Sequence, residues 1–131
     1  MGLVNVVGGP TFIVPEGETE SNEVLMTEVA GDSEWIMLYI PVLTLGDQDA
    51  PITFKIQANR AYRDGDAYDA WLDVGKVADD MTIDALSFSA TGAVAINTGW
   101  VCGVRLKLVA SAAIDTGKEL VVPTSKLATI S

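Results

Sequence analysis

Histidine is absent from this 131-residue chain, and cysteine occurs once, at Cys102. The first absence removes Ser-His-Asp and Cys-His catalysis, histidine zinc ligands and the usual general base near neutral pH. The second excludes an intramolecular disulfide and a zinc site built from thiolates. Cys102 stands in the apolar run Trp100–Leu108, which makes it a small core residue rather than a reactive thiol.

Basic residues are missing from the whole first part. Positions 1–54 hold no Lys or Arg but nine acids, whereas from Lys55 onward eight basic residues nearly balance nine acids. The formal net charge of −10 therefore falls almost wholly on the first part. Such a balance argues against direct nucleic-acid binding, which needs clustered Lys and Arg to displace counterions. Seven acids stand between Glu16 and Glu34 without one base, a field that steers toward a positively charged patch on a partner. Glu16, Glu18, Glu20 and Glu23 are thus candidate partner contacts; the bland alternative is that they keep the chain soluble.

Long apolar runs are scarce too. The longest, Trp35–Val42, contains Tyr39 and Pro41 and falls far short of a membrane span. The start MGLVNVVGGP lacks the basic n-region and apolar stretch of a signal peptide, and Val6 stands where myristoylation wants Ser or Thr. The expectation is a soluble chain, made in the cytoplasm, with no membrane partner.

Apolar content is nevertheless high. Hydrophobic residues make up 49% of the chain, charged residues only 20%, and mean hydropathy is +0.31. A small domain this apolar must bury surface by association or expose patches. Homo-oligomer formation or docking on a larger assembly is the inference.

Periodicity points to β-structure almost throughout. Ile52, Phe54, Ile56 and Ala58 alternate with polar residues, as do Val104, Leu106 and Leu108 with Arg105 and Lys107, the pattern of half-buried strands. Tyr68, Ala70, Leu72 and Val74 alternate with Asp69, Trp71 and Asp73. Further strands are expected over Thr11–Val14, Glu23–Val29, Trp35–Leu45, Thr82–Ser89, Ala93–Asn97, Glu119–Val122 and Leu127–Ile130. A helical turn within Val77–Leu86 is the alternative there, since Asp79 and Asp80 suit a helix start. Turn clusters such as Gly46-Asp47-Gln48-Asp49 and Asp64-Gly65-Asp66 separate these runs. The fold class is all-β: an antiparallel β-sandwich of roughly eight to ten strands, jelly-roll-like, with an immunoglobulin-like sandwich second. Residues 1–20 stand apart as an extended N-terminal arm or edge segment, and residues 21–131 form the single sandwich domain.

Candidate chemistry is thin. Paired carboxylates hydrolyse glycosides, but no acid here sits in a distinctive motif. Asp64, Asp66, Asp69 and Asp73 offer oxygen ligands, yet their spacing departs from the EF-hand and Arg60 and Arg63 oppose a cation. A solvated loop with local ion pairs is the favoured reading, and neither a metal nor a cofactor is expected. Among the aromatics, Trp71 is opposite in parity to Leu72 and flanked by Asp69 and Asp73. It points outward as a candidate partner contact; a sugar-stacking platform of Trp and Tyr is the other use such residues have.

The signal-free start MGLVNVVGGPTFIVPEGE, the strands WIMLYIPVLTL and GWVCGVRLKLVASA and the histidine-free acidic composition together resemble the small jelly-roll decoration or cement proteins of tailed-phage capsids. That resemblance implies a homo-oligomer, a trimer by preference, on the outer surface of the virion. There it would bridge subunits of the major capsid protein and catalyse nothing. The alternative is a carbohydrate- or receptor-binding sandwich of a phage tail or other surface assembly.

Overall fold

The computed structural model describes residues 2–6, 9–30, 35–40, 53–77, 80, 83–85, 87–88, 92–101 and 103–130. Cys102, Pro41, Asp32, Glu34, Asp47, Asp49 and Asp79 lie outside them.

In chain order the strands are β1 (Gly2–Val6), β2 (Thr11–Val14), β3 (Val24–Leu25), β4 (Trp35–Ile40), β5 (Phe54–Asn59) and β6 (Trp71–Asp73). They continue with β7 (Gly75–Val77), β8 (Ile83–Ala85), β9 (Ser87–Phe88), β10 (Gly92–Asn97), β11 (Arg105–Ala110) and β12 (Leu120–Ile130). One helical turn, α1 (Met26–Val29), follows β3. One antiparallel sheet has the order β1-β12-β4-β10, with β2 also on β12; the second has the order β3-β11-β5-β6, with β9 also on β5. A separate ribbon pairs β7 with β8.

The two sheets close on one apolar core, which makes the fold an antiparallel β-sandwich. Phe54, Ile56 and Ala58 of β5 and Leu106, Leu108 and Ala110 of β11 enter it from one side. Phe12, Val14, Ile36, Leu38, Ile96, Leu120 and Val122 enter from the other. Alternation creates this because every second side chain of a strand shares a face. Each fully buried Leu, Ile or Phe adds about 1.5–3 kcal/mol relative to leaving it in water.

Several elements differ from expectation for identifiable reasons. Glu23–Val29 is strand only over Val24–Leu25; the chain then coils, the Ala30 N–H reaching the Met26 carbonyl at 2.9 Å, and this buries Val29 and Ala30. The 68–74 run is strand only from Trp71, because Tyr68 adopts φ +67° and belongs to a loop. Between Val77 and Leu86 the described residues are Asp80, in a turn, and Ile83–Ala85, in strand, and none of them is helical. Positions 120–130 form one strand rather than two. Pro123 falls where β12 passes from its pairing with β2 to its pairing with β4, a handover where a missing donor is tolerated. Gly103 permits a close backbone approach: a Cβ there would meet the Asn59 N and O at 2.8 Å, beside the Val104 N–H bond to the Asn59 carbonyl.

Candidate functional site

Odd-numbered residues of β5, β6 and β11 face away from the core, and register lines them up in rows. Arg105 stands beside Asn59, which stands beside Trp71; Lys107 stands beside Gln57, which stands beside Asp73. Alternation alone would leave the two cations in solvent. They are instead only 6% and 7% exposed.

Residues 18–25 cover them by running antiparallel along the open edge of β11. The Ala110 N–H meets the Thr19 carbonyl at 2.7 Å, and the Ser21 N–H meets the Leu108 carbonyl at 2.9 Å. Glu20 pairs with Val109 and Val24 with Leu106, so the register shifts by one residue between them. That extra residue is a β-bulge. Glu20 and Glu23 are three apart, which in a regular strand would place them on opposite faces. The bulge brings both to the outer face. Glu20 Oε1 accepts from Lys107 Nζ at 2.8 Å, and Glu23 Oε1 accepts from Arg105 Nη1. Asn22, at the bulge, accepts from the Ile13 N–H through Oδ1 at 2.7 Å and donates through Nδ2 to the Thr11 carbonyl at 3.1 Å. It thereby stitches this edge to β2 of the other sheet.

The loop 60–70 closes the other side of Arg105. Its Nε donates to the Ala61 carbonyl at 2.7 Å, and Nη1 donates to Asp64 Oδ1 at 3.1 Å. Nη2 lies 3.5 Å from Asp69 Oδ1 and makes no hydrogen bond among the described residues. Buried Asn59 donates to Asp69 at 2.8 Å and accepts from the Ala61 N–H at 2.8 Å. The Trp71 ring lies under both cations, its centroid 4.2 Å from Lys107 Nζ and 5.2 Å from Arg105 Cζ, within cation–π range.

Burial by itself would lower the Arg105 pKa, but the hydrogen bond to Asp64 and the charge of Glu23 outweigh it and hold the value above the ordinary one. Asp69 is held below the ordinary carboxyl range by the Gly65 N–H and then by Asn59. Asp73 is lowered by Gln57 and then by Lys55, which forms an ion pair with it at 3.0 Å. Carboxyls so placed are poor bases at neutral pH, and the guanidinium is a fixed charge. The cluster holds chain segments in place.

This has a pH consequence. Asp69 and Asp73 release their protons more readily folded than unfolded, so their contribution to stability is complete above the unfolded value of about 3.9. It is lost as pH falls below that through the lowered folded values. Urea midpoints measured from pH 7 to pH 2.5 are expected to fall below about pH 4, less steeply in Asp73→Asn than in the wild type; parallel curves would contradict the assignment.

Of the sequence candidates, Glu20, Glu23 and Trp71 come together around the two cations. Glu16 lies farther along, accepting from the Gly117 N–H, and the exposed Glu18 side chain meets no partner among the described residues. Asp64, Asp69 and Asp73 do make ion pairs, but the guanidinium that takes Asp64 and Asp69 comes from β11 rather than from the loop. Arg60 lies over the Tyr68 ring instead, 5.1 Å from its centroid. Among the described residues no group of three or more acids is placed to hold a metal ion. Arg105, Lys107 and Asn59 carry the cluster and were not legible as site residues. Comparison with known proteins finds no matching family model, curated protein or solved structure.

Proposed function

We propose that the chain is a non-enzymatic structural protein of a virion, a jelly-roll decoration protein that bridges major capsid protein subunits on the outer shell of a tailed phage. The observation that carries this reading is the rigid acidic rim along residues 13–23. Lys107, Arg105 and the stitching of Asn22 fix its backbone, while Glu18 and the apolar Ile13 remain outward. A rim fixed before it meets a partner loses little entropy on docking, and its charge favours a basic patch on a shell subunit. The strongest polar geometry of the described residues is spent on holding strands, which suits a scaffold more than a reaction centre.

Electron cryo-microscopy of native particles carrying the chain tests this. Copies at regular lattice positions on the head are the expected result; copies confined to a tail, or found on no particle, would overturn it. A tail position would favour the carbohydrate- or receptor-binding alternative, for which the exposed Tyr62 and Tyr68 are the relevant side chains. Trp71, with both cations over its ring, is a poor sugar platform.

A further inference from the structure

The outer faces of the two sheets differ in charge. The β3-β11-β5-β6 sheet turns Lys55, Asp73, Arg105 and Lys107 away from the core, where acids pair with the cations. The strands of the other sheet, β1, β2, β4, β10 and β12, contain one charged residue in all, Lys126. It stands directly beside Ile36 of the core, so its position belongs to the inner side. No charged residue of these strands is placed on the outer side.

What stands there instead is apolar. Ile36, Leu38, Ile96 and Val122 enter the core, so their odd-numbered neighbours point away from it. β4, which lies between β12 and β10, sends out Trp35, Met37 and Tyr39, all partly exposed. Ala95 of β10 and Pro123 of β12 are exposed on either side. One row across the sheet runs from Ser125 to Met37 to Ala95, which puts Met37 at the centre. Trp, Tyr and Met are the residues enriched in interfaces. The polar atoms of this face are already engaged. Tyr39 Oη and Ser125 Oγ share a hydrogen bond of 2.8 Å, and Asn97 Oδ1 accepts from the Gly99 N–H at 2.8 Å. Covering the face therefore leaves neither hydroxyl unpaired.

The size of the face bounds what it can hold. Strands β4 and β10 have six residues each and β12 has eleven, about 20 Å and about 36 Å long at 3.3 Å per residue. With β1 beside them at a spacing of about 4.8 Å, the sheet presents about 400 Å² in projection. A contiguous apolar patch of that size marks an interaction site. Two such faces in contact cover about 800 Å² in projection, and more in accessible surface, which is the range of small, weak interfaces.

We infer that this face binds a second copy of the chain, sheet against sheet about a two-fold axis that passes near Met37. A two-fold contact sets a patch against itself, so the patch must be self-complementary. A charged patch is not, because it meets its own sign; an uncharged apolar one is. Two copies that each carry a net charge of −10 repel one another over the acidic rim. The uncharged sheet lets them meet without placing like charges in contact. Twisted sheets pack face to face in this way inside sandwiches, with their strands about 30° apart. The contact is separate from the acidic rim, goes beyond the proposed function and leaves the rim open to a shell subunit.

Sedimentation of the full chain tests this. The wild type should pass from monomer to dimer at concentrations of about 10 µM to 1 mM, as a small interface implies. Association should strengthen as salt rises, because the repulsion between acidic copies is screened. Met37→Glu and Met37→Lys should each weaken the dimer by about tenfold or more, since each sets like charges across the axis. An equimolar mixture of the two should recover most of that loss. Tyr62→Lys, at an exposed position on the loop 60–70, should dimerise like the wild type. Circular dichroism confirms folding; should a Met37 variant misfold, Ala95→Glu takes its place and must weaken the dimer likewise. A wild type monomeric up to about 1 mM, association that weakens with salt, Met37 variants that dimerise like the wild type, or a mixture no better than its components would each overturn the inference. So would an equal loss in Tyr62→Lys, which would mean unspecific clustering. A monomeric free chain whose Met37→Glu variant no longer attaches to native heads would give the face to the shell subunit, sinking the inference and leaving the proposed function standing. A dimer found on no particle would do the reverse.

Discussion

Replacing Phe12 with alanine is expected to destabilise the chain by about 3–5 kcal/mol, the cost of losing a buried aromatic and leaving a cavity. Phe12 is 1% exposed and stands in the core with Val14, Leu120 and Val122. Its strand, β2, pairs with β12 over residues 120–123, which resists collapse around the cavity. Ile13, one residue on, lies outside that core, and alanine there should cost under about 0.5 kcal/mol. Removing residues 1–15 takes away β1, β2, Phe12 and Val14 together, and the remaining chain is expected to lose cooperative unfolding. Urea denaturation followed by tryptophan fluorescence measures all three. A truncated chain that still unfolds cooperatively at the wild-type midpoint would show that β2 is dispensable.

The fold was legible wherever one face of a strand is buried. The alternation at Phe54, Ile56 and Ala58, and at Leu106 and Leu108, is a direct record of the core, because a period of two is enforced by burial. Thr11–Val14 was legible on another ground, as a short apolar run between the turn residues Gly9-Pro10 and Pro15-Glu16-Gly17. Legibility failed where local geometry departs from a regular strand: at the coil after Leu25, at Tyr68 with its positive φ, and at Pro123, which marks a handover rather than an end. The cluster around Arg105 was hidden for a different reason. Its ion pairs join residues 82 and 87 positions apart, and no local spacing announces them. The bulge opposite Lys107 also breaks the parity that would have assigned Glu20 and Glu23 to faces. Trp71 was placed on the outer face by its parity with Asp69 and Asp73, and it lies there. What parity does not reveal is that two cations from another strand cover its ring. A sequence signal did exist in the deficit itself: acids with no base within thirty positions must either face solvent or find cations from afar, and Glu20 and Glu23 do the second.

Arg105 is the place where this architecture is most exposed to single changes, and the cost depends on which partner is removed. Arg105→Ala deletes the bond to the buried Ala61 carbonyl, the aliphatic stem and the cation over Trp71. The acids it leaves are able to rehydrate, since Glu23 and Asp64 side chains are 43% and 79% exposed. The expected loss is therefore about 3 kcal/mol, made of an unsatisfied carbonyl and lost packing rather than a stranded charge. Arg105→Met restores much of the stem's volume and should recover about 1 kcal/mol of that. Taking the acids instead, as Glu23→Gln with Asp64→Asn, strands the guanidinium with only Asp69 at 3.5 Å. Solvent screening keeps the Asp64 share under about 1 kcal/mol, yet the pair of substitutions should cost about 2 kcal/mol because the buried cation loses its compensation. In the Arg105→Met background the same two substitutions should cost almost nothing, since no buried charge then remains to be stranded. Equilibrium urea unfolding of the four proteins completes this cycle. Additive losses, or a Glu23→Gln/Asp64→Asn variant within about 0.5 kcal/mol of the wild type, would show these contacts to be ordinary surface ion pairs. Hydrogen exchange at residues 61–69 gives an independent reading, because the loop should open faster in Arg105→Met even where global stability is largely kept.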